Sequence, residues 1–201
     1  MPRRALFSLA FVAALVLAPL TGFAAAPART AIFAGGCFWC MEQAFDEVPG
    51  VISTTSGYSG GDVERPSYQQ VSAGATGHFE AVKVEYDPSR VSYQQLLDAF
   101  WRNVDPFDSR GQFCDKGHQY LSVIFTADDA ERNAAEASKK KVEQKFGRSV
   151  ATRILPVKAF WPAEDYHQDF YLKNALKYKF YKYNCGRAQR LEELWGKAHA
   201  S

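Results

Sequence analysis

The residues best able to do chemistry begin with Gly35-Gly36-Cys37-Phe38-Trp39-Cys40. Two glycines let a backbone turn sharply out of a strand, and the pattern that follows puts Cys37 in the first turn of a helix. Unpaired N–H groups and the helix dipole favour an anion there, so a thiol at 37 is expected to ionise more readily than in free solution. Thiolate is the form that attacks sulfur. Cys40 follows by one helical turn, close enough to share a disulfide. Cys-x-x-Cys alone leaves a redox dithiol and half a zinc site both open. Zinc needs two further ligands, and Cys114, Cys185, His78, His118 and His167 show no second paired spacing. Glu80 is the second reactive candidate. Along Phe79 to Tyr86 it shares its parity with Val82, Val84 and Tyr86, so it lies on the apolar face of a strand. Burial disfavours the charge of a carboxyl, which then keeps its proton and can donate it near neutral pH. A strand-end Glu turned to solvent is the plain alternative.

These side chains need elements to hold them. Thr30 to Ala34 reads as a short strand, and Phe38, Met41, Ala44 and Phe45 recur at helical spacing until Pro49-Gly50. Val51 to Thr55 and Phe79 to Tyr86 are expected strands. Between them, Ser56 to His78 carries five glycines and is expected as a long functional loop. Ser92 with Gln95 forms a capping-box pattern for a helix through Trp101. Asp105 to Tyr120 reads as a second loop and Leu121 to Phe125 as a strand. Thr126 with Asp129 suggests a cap for a charged helix ending at Gly147, and Arg153 to Val157 a last core strand. Beyond it only Ala188 to Trp195 shows a helix in an otherwise extended tail. The order predicts an α+β fold, a two-layer α/β sandwich with helices on a small mixed sheet and long loops.

The chain has 201 residues, enough for one domain with a real core. Arg3 and Arg4, an apolar run from Ala5 to Leu20 and the small residues Ala24-Ala25-Ala26 have the layout of a secretory signal peptide, expected over residues 1–26. A single catalytic domain over 29–201 would then be exported, to the periplasm or outside the cell. Without Arg3 and Arg4 the 24 basic residues fall to 22, equal to the 22 acidic ones. That balance gives no compositional case for nucleic acid, nor for stable membrane association after cleavage. All four cysteines lie in the mature part. In an oxidising compartment they admit either structural or redox-active disulfides.

Seven segments in order resemble the A-type peptide-methionine sulfoxide reductases: Gly-Cys-Phe-Trp-Cys at 36–40, Gly-Tyr-Ser-Gly-Gly at 57–61, Pro-Ser-Tyr at 66–68, Thr-Gly-His-Phe-Glu at 76–80, Tyr-Asp-Pro at 86–88, Asp-Lys-Gly-His-Gln-Tyr at 115–120, and Phe-Trp-Pro-Ala-Glu-Asp-Tyr-His-Gln at 160–168. The resemblance implies a ferredoxin-like plait and reduction of the S epimer of methionine sulfoxide, free or in proteins. It makes Cys37 the attacking thiol, with Phe38 and Trp39 around the S-methyl group. Glu80, Tyr68 and Tyr120 would hold and protonate the sulfoxide oxygen, with Asp115 in support. It further implies a sulfenic acid on Cys37, a later intramolecular disulfide, no bound metal or organic cofactor, and an external thioredoxin-like dithiol as reductant. A monomer is expected.

The chain departs from the commonest pattern at Cys40, where many members have Gly, at Cys114, a variable position, and at Leu121, where Arg is frequent. Cys185 and Cys40 are the expected resolving thiols, and Cys114 is expected to be incidental. Two other readings are a thioredoxin-like disulfide oxidoreductase using Cys37 and Cys40, and an exported binding domain with two structural disulfides.

Overall fold

The computed structural model describes residues 27–197, and the expected signal peptide lies outside them. In chain order the elements are β1 (Arg29–Gly35), α1 (Phe38–Asp46), β2 (Val51–Ser59), α2 (Tyr68–Ser72), β3 (Phe79–Tyr86), α3 (Tyr93–Arg102), β4 (Gly111–Gln112), β5 (Asp115–Lys116), β6 (Ser122–Thr126), α4 (Asp129–Phe146), β7 (Arg153–Pro156), β8 (Phe160–Pro162), α5 (Phe170–Lys173), α6 (Ala175–Asn184) and α7 (Arg187–Trp195). Six strands form one curled mixed sheet in the order β7-β6-β1-β3-β2-β8. Only the β6–β7 pair is parallel; β4 and β5 make a separate small hairpin.

Strand alternation divides the core. Phe33, Tyr58, Val82, Val84, Tyr86 and Ile124 pack with α1, α3 and α4 in the larger cluster, while Ile32, Ala34, Phe79, Ala81, Val123 and Phe125 form a smaller one. Phe33 stacks on Phe45 of α1 at 4.9 Å and on Phe100 of α3 at 5.5 Å, tying both helices to the central strand. Trp101 closes the layer by donating its indole N–H to Ser138 Oγ of α4.

Local chemistry sets the boundaries. The Ser92–Gln95 capping box opens α3 as expected. Asp128, not Thr126, caps α4, its carboxylate accepting from Glu131 N–H. The expected loop from Ser56 is half structured: β2 continues through Ser59, and a second capping box, Ser67 with Gln70, opens α2. Gly57, expected in the loop, is a strand glycine. A Cβ there would lie 2.4 Å from the Phe160 ring and the Trp161 carbonyl of β8. The C-terminal region is also not extended. Three helices follow Phe170, and α6 escaped notice because Tyr178 is its one buried side chain. With so little buried face, its sequence carries no apolar period.

Candidate active site

β1 ends against the site through a turn that only glycine can make. Gly36 has φ +83°, and a Cβ on it would lie 2.5 Å from the Gln112 side chain. Cys37 then serves as the N-cap of α1, its carbonyl accepting from Cys40 N–H at 3.1 Å. The neighbouring strand β3 delivers Glu80, whose Oε2 accepts from Phe38 N–H at 3.1 Å. Cys37 and Glu80 thus share one small cavity of about 90 Å³, lined also by Phe38, Trp39, Tyr68, Asp115, Tyr120 and Tyr181. That is room for a small group, such as the end of a longer substrate.

Every residue expected at the substrate is in this cavity, and each has a visible anchor. Tyr68 opens α2, its N–H donating to Glu164 Oε1, while Glu164 Oε2 accepts from the Tyr58 hydroxyl. Tyr120 ends the short turn His118–Tyr120, which sets it with Tyr68 in the cavity wall. Trp39 is held on two sides. Its indole N–H donates to His167 Nδ1 at 3.1 Å, and its ring stacks on Phe170 at 3.8 Å. Asp115 accepts a hydrogen bond from the Tyr181 hydroxyl.

Electrostatics sorts the ionisable groups. Burial pushes the Glu80 carboxyl up to about 8, against the Phe38 hydrogen bond that favours its charge, so it is protonated at neutral pH. The thiols differ from expectation. Burial and the hydrogen bond to Cys40 push the Cys37 thiol up. That same bond, helped by Arg187, Tyr178 and Lys182, pulls Cys40 down to about 6 despite its burial. Charge on the pair is therefore favoured on the Cys40 side, toward Arg187 and Lys182, and disfavoured at Cys37. The helix-start effect expected at 37 is outweighed because Cys37 is desolvated and Cys40 has the cations.

The cysteine pairing also corrects the sequence reading. Cys114 is not an incidental thiol: it is bonded to Cys185 across 71 residues of chain. Cys37 and Cys40 are free and buried. Cys185 is therefore not a thiol in this state, and Cys40 is the one free sulfur beside Cys37. Two further residues were missed. Tyr181 lines the cavity from α6, and its one signal was its spacing of one helical turn before Cys185. His167 sits within the 160–168 segment, whose resemblance implies no role for this ring.

A profile of the family described as "Peptide methionine sulfoxide reductase" matches residues 29–199. The curated "Peptide methionine sulfoxide reductase MsrA" of Ligilactobacillus salivarius is 49% identical over 168 residues, covering 83% of this chain and 97% of its own. The "Peptide methionine sulfoxide reductase MsrA/MsrB" of Vibrio cholerae is 45% identical over 170 residues, 84% of this chain but 45% of that longer protein. Among solved structures, reduced Mxr1 from Saccharomyces cerevisiae aligns with a TM-score of 0.70 at 33% identity, covering 74% of this chain and 86% of that one. The same yeast protein in complex with Trx2 aligns at 0.52 and 23% identity, covering 75% and 91%, a likeness of fold.

Proposed function

The chain belongs to the peptide methionine sulfoxide reductase family and reduces methionine sulfoxide to methionine; from that premise we propose how its residues perform the reaction. The observation that carries the reading is a buried thiol and a protonated buried carboxyl facing one small cavity walled by aromatic rings.

The S-methyl group lies against Phe38 and Trp39, where a polarizable thioether suits aromatic faces. The sulfoxide oxygen points to Glu80, Tyr68 and Tyr120. Phenols can hydrogen-bond a dipolar oxygen without adding charge. Cys37, which lines the cavity, passes its proton to the Cys40 thiolate and attacks sulfur, while Glu80 protonates the oxygen. The hydroxyl then passes from the substrate sulfur to Cys37, breaking the substrate S–O bond and the new bond between the two sulfurs. That leaves a sulfenic acid on Cys37 and releases the thioether as methionine. Cys40 thiol then condenses with the sulfenic acid, giving a Cys37–Cys40 disulfide and water. An external thioredoxin-like dithiol returns both sulfurs to thiols and is itself oxidised to a disulfide. No metal or organic group enters this cycle.

The finer proposals are specificity for the S epimer, action on free or protein-bound sulfoxide, a ferredoxin-like plait, a monomeric state and export. Export rests on the residue pattern over 1–26, and N-terminal sequencing of the mature protein tests it. The central test is a reductase assay with resolved sulfoxide epimers and dithiothreitol, on wild type and Cys37→Ser. Methionine should form from the S epimer with wild type alone; equal turnover by Cys37→Ser would overturn the assignment.

A further inference from the structure

The two cysteines of the disulfide each stand next to a wall of the substrate cavity. Cys114 immediately precedes Asp115. Cys185 follows Tyr181 by four residues, so both side chains leave the same face of α6 and its C-terminal end. Asp115 and Tyr181 meet by hydrogen bond across the cavity. The sulfur bridge lies directly behind them: Cys185 Sγ is 3.9 Å from Asp115 Oδ2 and 4.0 Å from the Tyr181 hydroxyl.

The helix carrying Tyr181 has one face against the body of the protein, where the Tyr181 ring meets Trp39 edge-on at 5.9 Å. Of α6, only Tyr178 is buried, with Tyr178 and Lys182 hydrogen-bonding Gln43. Its flanks are well fixed, by Phe170 stacked on Trp39 and by buried Arg187 donating to the carbonyls of Gly35 and Asn103. The span between those flanks bears the cavity wall, and the covalent bond crosses that span.

We infer that the Cys114–Cys185 disulfide is a clamp that assembles the Asp115–Tyr181 wall, so that affinity for a methyl sulfoxide follows the redox state of this second pair. The inference rests on the sulfoxide reading of the cavity. Opening the clamp consumes one dithiol. Its first thiolate attacks one sulfur, forming a mixed disulfide and freeing the other cysteine as a thiol. Its second thiolate then resolves that bond, leaving Cys114 and Cys185 reduced and the reductant as a disulfide. Cys114 is exposed, whereas Cys37 and Cys40 are 6% and 5% exposed, so a reductant reaches the clamp before the reacting pair. The enzyme then binds substrate best under oxidising conditions, when damaged methionine is most abundant.

The test is equilibrium binding of free methionine sulfoxide to the Cys37→Ser protein, which cannot turn over, with the clamp disulfide intact and again in dithiothreitol. Reduction should weaken binding at least about tenfold, within the usual range of coupling between sites. Cys37→Ser/Cys114→Ser should bind weakly with and without dithiothreitol. Tyr181→Leu in the Cys37→Ser background, disulfide intact, should bind about as weakly, which keeps the inference testable if loss of Cys114 unfolds the chain. Equal affinity in both redox states, or a dithiothreitol effect that persists without Cys114, would overturn the clamp. Absence of binding in every state would instead sink the sulfoxide reading itself.

Discussion

Cys37 and Cys40 lie at the start of a helix whose other face is packed into the larger apolar cluster, with Phe38, Met41 and Phe45 all buried there. Cys114 and Cys185 join an exposed loop to a helix with one buried side chain. The first pair is shielded within a desolvated pocket. The second pair is already joined, with Cys114 exposed, and the clamp inference gives its bond a part in fixing geometry instead of transferring oxygen. The contrast teaches that one chain can keep a shielded thiol pair and an accessible disulfide apart. It does so by assigning one to a core helix and the other to a peripheral one.

The largest expected effect breaks the contrast outright if it fails. Cys37→Ser should lower methionine release in a single turnover by more than about a thousandfold, as loss of a nucleophile does elsewhere. Cys185→Ser at saturating sulfoxide should stay within about fivefold of wild type, since chemistry limits there and affinity does not. Comparable losses in the two variants would merge the two pairs into one machine.

Glu80→Gln comes next, with an expected loss of about 100- to 10,000-fold in kcat/KM, the range for a general acid. The pH profile carries the same information with signs attached. Wild-type kcat/KM should rise through about pH 6 as the thiol pair loses its first proton, and fall through about pH 8 as Glu80 loses its own. In Glu80→Gln the descending limb should vanish while the rising limb stays. A descending limb that survives in the variant would assign the acid to another group.

A smaller effect probes how the shielded side is held. His167→Ala leaves the half-buried Trp39 indole N–H without its acceptor, worth at most about 1–3 kcal/mol. KM for a methyl sulfoxide should rise about tenfold, with kcat changing less, because a ring of the cavity wall loses its anchor. A fall in kcat with KM unchanged would place His167 in the chemical step.

The smallest effect is on stability. The carboxyl of Glu80 titrates at about 8 in the folded protein against 4.5 ordinarily. Its raised value favours the folded state at low pH, and that contribution is lost as pH climbs from 4.5 through 8. Glu80→Gln has no such loss. Its melting temperature relative to wild type should therefore increase between pH 5 and pH 9, by about 2–4 °C for each kcal/mol. A constant difference across that range would mean the carboxyl is not buried in solution as it is here.

Much of the shielded side was legible in the sequence, because alternation and capping are local. Strand parity placed Glu80 with Val82 and Val84, and the glycine pair before Cys37 announced the turn. The peripheral side was not legible, for physical reasons. α6 turns nine of its ten residues toward solvent or half-exposure, which erases periodicity. β8 is three residues long and is recognised only through its pairing with β2. The Cys114–Cys185 bond spans 71 residues, a distance over which spacing says nothing about contact. The cations near Cys40 were hidden for the same reason, since Arg187 and Lys182 arrive from the far end of the chain.

The cross-strand pairing of β2 with β3 sets Tyr58 opposite Glu80. A one-residue slip in that ladder would send the carboxyl to the other side of the sheet together with its apolar companions. Insertions and deletions in this lineage should therefore collect outside the ladder, between Gly60 and Thr76 or after Tyr86. Within β3 a frame change of a single residue would be lethal to catalysis even where the fold could absorb it.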